Sequence, residues 1–237
     1  VCSLLRDKAK PYERLFSAWG GILKETCYEG LTVHAQPCGA ESCFARLDKW
    51  LPNLNLDSID EEEAKEKLFL KYLSGYGPAS VQDFTSWSGL LASDIRKTLE
   101  NIASELEELE IEGVKGRFWI QKRDYKMLMQ TDLDEKSPVL LLPKFDSFVM
   151  GHKDRTRIIQ REFMKRVYRP PAGDVAATIL VNYSIVGTWR HEKTKNSVTV
   201  SILPFQKLKK EDLKEIKSAA EDFSQFIGVS QLKFEVN

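Results

Sequence analysis

The chain is 237 residues long, 42% apolar and 30% charged, with 35 bases matched by 35 acids. Its length allows one to three domains, and no apolar run approaches the ~18 residues that a membrane-spanning helix needs. Zero formal net charge excludes the strongly basic type of nucleic-acid binder, so any phosphate-binding footprint must be local.

The chain opens on Val1 and passes at once into "LLRDKAKPYERLFSAW", which has the pattern of a helix interior, so a further segment is expected upstream. "GILKETCYEG" and "CFARLDKWLP" read as strands on either side of a loop, "HAQPCGAES". Helix, strand, wing loop and strand make residues 1–55 a partial winged-helix unit. Cys2, Cys27, Cys38 and Cys43 form no C-x-x-C pair, and His34, Cys38 and Cys43 match no common zinc spacing. Neither a disulfide nor a metal is expected. "NLNLDSIDEEE" reads as a polar linker.

Residues 56–130 are the most legible stretch. Asp60 with Glu63 predicts a helix start, and Leu68, Leu70, Tyr72 and Leu73 keep close to helical spacing up to the Gly75, Gly77, Pro78 break. Ser80 and Asp83 cap a short second helix through Val81, Phe84 and Trp87, with a turn from Ser88. Ile95, Leu99, Ile102, Leu106 and Leu109 predict one long third helix. "LEIEGVKGRFWIQKR" then alternates as a hairpin turning at Lys115 and Gly116. Three helices and a hairpin make a winged helix-turn-helix.

Residues 131–237 change character to β. "VLLLPKF", "ATILVNYSIVGTWRHE" and "NSVTVSILPF" are separated by turns near 182–184 and 193–196, and an amphipathic helix over 210–227 precedes a last strand, "LKFEV". A curved sheet or small barrel with the helix packed across it is expected. The chain as a whole reads as α+β: tandem winged helix-turn-helix units followed by a β-barrel-like domain with a C-terminal helix.

Charge is segregated along the chain. Residues 100–112 are acidic, whereas 153–169 carry Lys153, Arg155, Arg157, Arg161, Lys165, Arg166 and Arg169 against only Asp154 and Glu162. Within "GHKDRTR", His152 and Asp154 invite a base-and-partner reading, but residues two apart on an extended segment face opposite ways, and no nucleophile elbow is present. A lone histidine beside one carboxylate is also short of metal ligands. Two readings stay open: a structural role, in which Asp146 and Asp154 cap turns or pair with Arg155 and Arg169 and lock the β domain onto the helical units, and phosphate binding by clustered bases. The candidate DNA contacts are His152 and the seven bases just named, Lys115 and Arg117 of the first hairpin, and Arg190, Lys193 and Lys195 around the tip of the second. Trp87, Trp119 and Trp189 could stack on an extruded base, but tryptophans within amphipathic elements read first as core.

"FLKYLSGYGPASVQDFTSWSGL", "LLPKFDSFVMGHKDR" and "RVYRPPAGDVAATILVNYSIVGTWR", in that order and spacing, resemble the winged-helix DNA-binding family that contains the AlkZ-like DNA glycosylases, over about residues 4–226. The resemblance implies tandem winged helices around a β-barrel-like domain, with a concave DNA-binding surface. It implies a monofunctional glycosylase, without cofactor, that removes bulky alkylated or cross-linked bases. It also implies a catalytic Gln-hydrophobic-Gln or Gln-x-Asp signature in the first winged helix. The sequence contains no Gln-x-Gln, and the catalytic segment is expected upstream of Val1. The implied partner is double-stranded DNA, bound by a monomer in the cytoplasm at the nucleoid. A winged-helix transcriptional regulator without chemistry, or a protein-interaction scaffold, is the alternative, and the upstream signature separates enzyme from binder.

Overall fold

The computed structural model describes residues 21–39, 41–54, 60–131, 139–169 and 173–237. The expected first helix and the centre of the linker fall outside them. The chain divides into two compact units, Val1–Ile59 and Asp60–Asn237.

In the first unit, α1 (Ile22–Tyr28) precedes β1 (Thr32–Cys38), β2 (Glu41–Arg46) and α2 (Leu47–Trp50). The expected strand over "GILKETCY" is thus a helix. Leu23, Thr26 and Cys27 are its half-buried positions, spaced by three and four. "HAQPC" is not loop but part of β1, antiparallel to β2, with the register slipping between Ala35 and Cys38 where Pro37 lacks an amide donor. His34 stands opposite Phe44, their ring centres 4.4 Å apart.

The second unit begins with three helices. The Asp60 carboxylate accepts the amides of Glu62 and Glu63 and starts α3 (Glu61–Tyr76). Ser80 and Asp83 form a reciprocal capping box on α4 (Val81–Ser88), and α5 (Ala92–Ile102) follows. Their core is Phe69, Tyr72, Leu73, Phe84, Ile95 and Ile102. The expected long third helix stops at Ile102, passes through one 3₁₀ turn and becomes β3 (Leu106–Ile111). Leu109 and Ile111 alternate there with exposed Glu108 and Glu110, a period of two that the stripe of leucines had masked. β3 pairs with β4 (Val114–Gln121), and the turn falls at Glu112 and Gly113, with Gly113 at φ 74°, rather than at Lys115 and Gly116. The short α6 (Lys122–Gln130) closes this part.

The remainder comprises β5 (Leu140–Leu142), α7 (Ser147–Met150), a 3₁₀ turn at Arg161–Phe163, α8 (Met164–Val167) and a small ribbon of β6 (Tyr168–Arg169) with β7 (Asp174–Val175). β8 (Thr178–Val181), β9 (Ser184–Lys193), β10 (Ser197–Pro204), α9 (Lys210–Phe226) and β11 (Gln231–Val236) complete it. The sheet is open, in the order β11-β10-β9-β8-β5, so the barrel expectation is corrected. β10 and β11 run parallel because α9 is the crossover between them. On one face Ile216 and Ala220 of α9 cover Val198, Val200 and Ile202. On the other, Leu180 and Ile185 pack against Val149, Ile159, Val167 and Val175. β8 is buried at every position. A sheet covered on both faces need not close on itself to hide its apolar side chains. Among the described residues no helix is long and apolar enough to cross a membrane.

Candidate nucleic-acid interface

The stretch around "GHKDRTR" follows α7, whose first turn is capped by the Asp146 carboxylate accepting the Phe148 amide at 2.9 Å. The chain then passes through Gly151, where any Cβ would overlap the Tyr76 ring. Four hydrogen bonds join this loop to α3, α4 and the turn between them. Tyr72 Oη donates to the Gly151 carbonyl at 2.6 Å, and His152 Nε2 meets the Tyr76 carbonyl at 2.8 Å. The Lys153 amide donates to Asp83 Oδ1 at 2.8 Å, and Arg157 donates to the Pro78 carbonyl at 3.4 Å. Asp83 also accepts the amide and hydroxyl of Ser80. Burial pushes the Asp83 carboxyl upward, but the hydrogen bonds from Ser80 and Lys153 outweigh it and hold the group below its ordinary range. Burial, reinforced by the charge of Arg157, pushes the His152 imidazole below its ordinary value.

These contacts divide the predicted bases. Arg155 is an internal brace, donating to the carbonyls of Val149 and Lys153 at 3.2 Å each, its guanidinium carbon 4.1 Å from the Tyr168 ring centre. Arg169 pairs with Asp174, not Asp154 or Asp146, and Lys144 shares that carboxylate. Arg166 lies over Phe205, 4.5 Å from its ring centre. Arg161 and Lys165 are exposed on the 3₁₀ turn and α8. Asp154 accepts the amide and hydroxyl of Thr156, a local turn.

The two hairpins differ from expectation. Lys115 and Arg117 lie along β4, not at a tip, and Arg117 meets Glu108 at 3.3 Å. In the second hairpin, Arg190 is an exposed strand residue opposite Ser201. His191 lies against the rings of Trp189 and Phe223. Lys193 donates to the Ile227 carbonyl at 2.8 Å, at the C-terminal end of α9. Of the expected contacts only Lys195 stands in the exposed turn.

A cavity of about 340 Å³ brings together three of the predicted bases, Lys115, Lys153 and Arg157, with Ser80, Gln82 and Asp154 also at its wall. This grouping of β4 with the "GHKDRTR" loop could not be read from the sequence, because it depends on the bond from the Lys153 amide to Asp83. Asp83 had a visible signal as a capping residue, but its reach across 70 positions had none. One Gln-x-Asp tripeptide is also present: Gln130 and Thr131 stand at the end of α6, and Asp132 lies outside the described residues. Among the described residues no group of three His, Cys, Asp or Glu gathers as a metal site.

The fold and the cavity define a mixed α+β protein with Lys115, Lys153 and Arg157 gathered between α4, β4 and the loop that follows α7. Residues 9–226 match the model of the AlkZ-like DNA glycosylases, and the chain belongs to that family. The interstrand DNA cross-link repair glycosylase of Streptomyces sahachiroi is 24% identical over 249 residues, an alignment taking in 100% of this chain and 63% of that protein. The solved structure of Streptomyces sahachiroi DNA glycosylase AlkZ superposes with a TM-score of 0.78 at 24% identity, covering 99% of this chain and 62% of that one. The chain thus spans less than two thirds of the length of these relatives.

Proposed function

We propose that this chain acts in DNA repair as its glycosylase family does, holding double-stranded DNA distorted by a bulky alkylated or cross-linked base. The observation that carries the reading is membership of the AlkZ-like family across residues 9–226; the name of the Streptomyces sahachiroi relative supplies the cross-link, and the family resemblance supplies the bulky alkylated base. In this reading α3, α4, α5 and the β3–β4 hairpin act as a winged helix-turn-helix, bounded from the sheet domain near residue 130. Lys115, Lys153 and Arg157 hold phosphates at the basic cavity, with Arg161 and Lys165 continuing the track. Clustered bases attract a phosphate backbone whatever the net charge of the chain. The protein works as a monomer, in the cytoplasm at the nucleoid.

Excision in this reading needs little acid catalysis. A cationic alkylated base is already a good leaving group, so a water oriented by glutamine suffices at the anomeric carbon. The family resemblance gives that glutamine to a Gln-hydrophobic-Gln or Gln-x-Asp signature, and the reading gives this chain the grip on the duplex. Titration of a fluorescent duplex tests it: replacing Lys115 and Lys153 with Ala is expected to weaken binding about tenfold. A folded double variant with the parent's affinity would reject the phosphate assignment.

A further inference from the structure

A second cavity, of about 310 Å³, shares Asp154 and Arg157 with the basic one. Half of the remaining wall is aromatic, from Tyr76, Phe148, His152 and Tyr183, and the other half is Gly75, Gly77, Pro78 and Ile158. Nothing in the phosphate reading uses these rings. Tyr76 and His152 are held in place by their contact with each other, edge to face at 6.3 Å, and by the His152 bond to the Tyr76 carbonyl.

Tyr183 is of a different kind. It occupies the second position of the two-residue turn between β8 and β9, where Asn182 and Tyr183 both take positive φ, 46° and 61°. Glycine is the favoured residue there, and a bulky aromatic in that conformation costs on the order of 1 kcal/mol or more. Burial of the ring does not offset that cost, since Tyr183 is 62% exposed. The effect of the strained turn is to present an aromatic ring at the rim of the cavity. Phe148, 38% exposed on α7, presents another. Flat apolar surfaces beside a few polar groups, next to a cluster of bases, suit a planar heterocycle with a hydrogen-bonding edge that is joined to phosphates.

We propose that this cavity receives one unpaired nucleobase of a DNA strand, stacked on Tyr183 and Phe148, while the adjoining phosphates lie on Lys115, Lys153 and Arg157. The proposal rests on the DNA-binding reading, and the test separates the two. Two duplexes identical except for one 2-aminopurine, paired in the first and bulged out in the second, are titrated with the whole chain while anisotropy and 2-aminopurine fluorescence are followed. The parent is expected to bind the bulged duplex about tenfold more tightly and to quench its fluorescence. Tyr183→Gly suits the turn and is expected to fold at least as stably as the parent. It should lose the preference and the quench while keeping the parent's affinity for the paired duplex, and Tyr183→Phe should restore both. Equal binding of the two duplexes by the parent overturns the proposal alone, as does a preference that survives in both Tyr183→Gly and Phe148→Ala. Failure to bind either duplex overturns the DNA-binding reading with it.

Discussion

At Asp83 a single carboxylate serves two parts of the second unit, closing the first turn of α4 through Ser80 and receiving the amide of Lys153 from the loop that follows α7. The residue is 3% exposed, so removing it leaves the part-buried donors of Ser80 and Lys153 without this acceptor. Asp83→Ala is expected to cost about 3 kcal/mol in urea unfolding. Because its folded pKa lies below the ordinary 3.8, the Asp83 contribution is complete above that value and is lost as pH falls through the lower folded one. His152 acts in a higher window. Its folded pKa lies below 6.5, so above 6.5 the ring is neutral in both states and adds no pH dependence. As pH drops from 6.5 to the folded value, the unfolded chain binds a proton that the folded chain refuses, and stability falls. His152→Gln should flatten that part of the profile. An unchanged profile would mean that another group carries it.

Among the elements, α9 is the crossover between β10 and β11 and covers one face of the sheet. Ile216 is fully buried at the centre of that contact, and Ile216→Ala is expected to cost about 3 kcal/mol by leaving a cavity under the helix. Lys193 holds the other end, so Lys193→Ala should cost about 0.5 kcal/mol whereas Lys195→Ala should cost almost nothing, both read by thermal unfolding. Equal effects would deny Lys193 its capping role. The elements that could be read from sequence were those with local punctuation: Asp60, Ser80, Asp83 and the Gly77, Pro78 break bound α3 and α4 without any help from distant residues. The end of α5 was not legible, because Leu106 and Leu109 fit a helical stripe and a strand equally until Gln121 and Phe118 pair with them. Nor was the open sheet legible. Alternation in β9 and β10 says that faces are buried but not by what, and the cover comes from 147–175 on one side and α9 on the other. In the candidate site the run of bases was legible as a run along the chain, and only Lys153 and Arg157 of it join Lys115 at the cavity. Its division into internal braces such as Arg155 and outward residues such as Arg161 was not, since backbone carbonyls are the partners and no sequence pattern marks them.

For the whole molecule, a net charge of +0 gives no general attraction to polyanions, so the DNA binding proposed above has to come from where the bases are placed. Arg161 and Lys165 are the cleanest probes of that placement, being exposed and clear of the braces that hold the loop. The decisive experiment is the affinity of the chain for duplex DNA across a salt series, for the parent and for the Arg161→Ala, Lys165→Ala double variant. Affinity is expected to fall steeply with salt in the parent. The double variant, with unchanged thermal stability, is expected to flatten the log–log slope by roughly one for each phosphate that it no longer neutralises. Binding whose slope is the same in parent and variant, or no binding to duplex at low salt, would contradict the assignment of these bases to DNA.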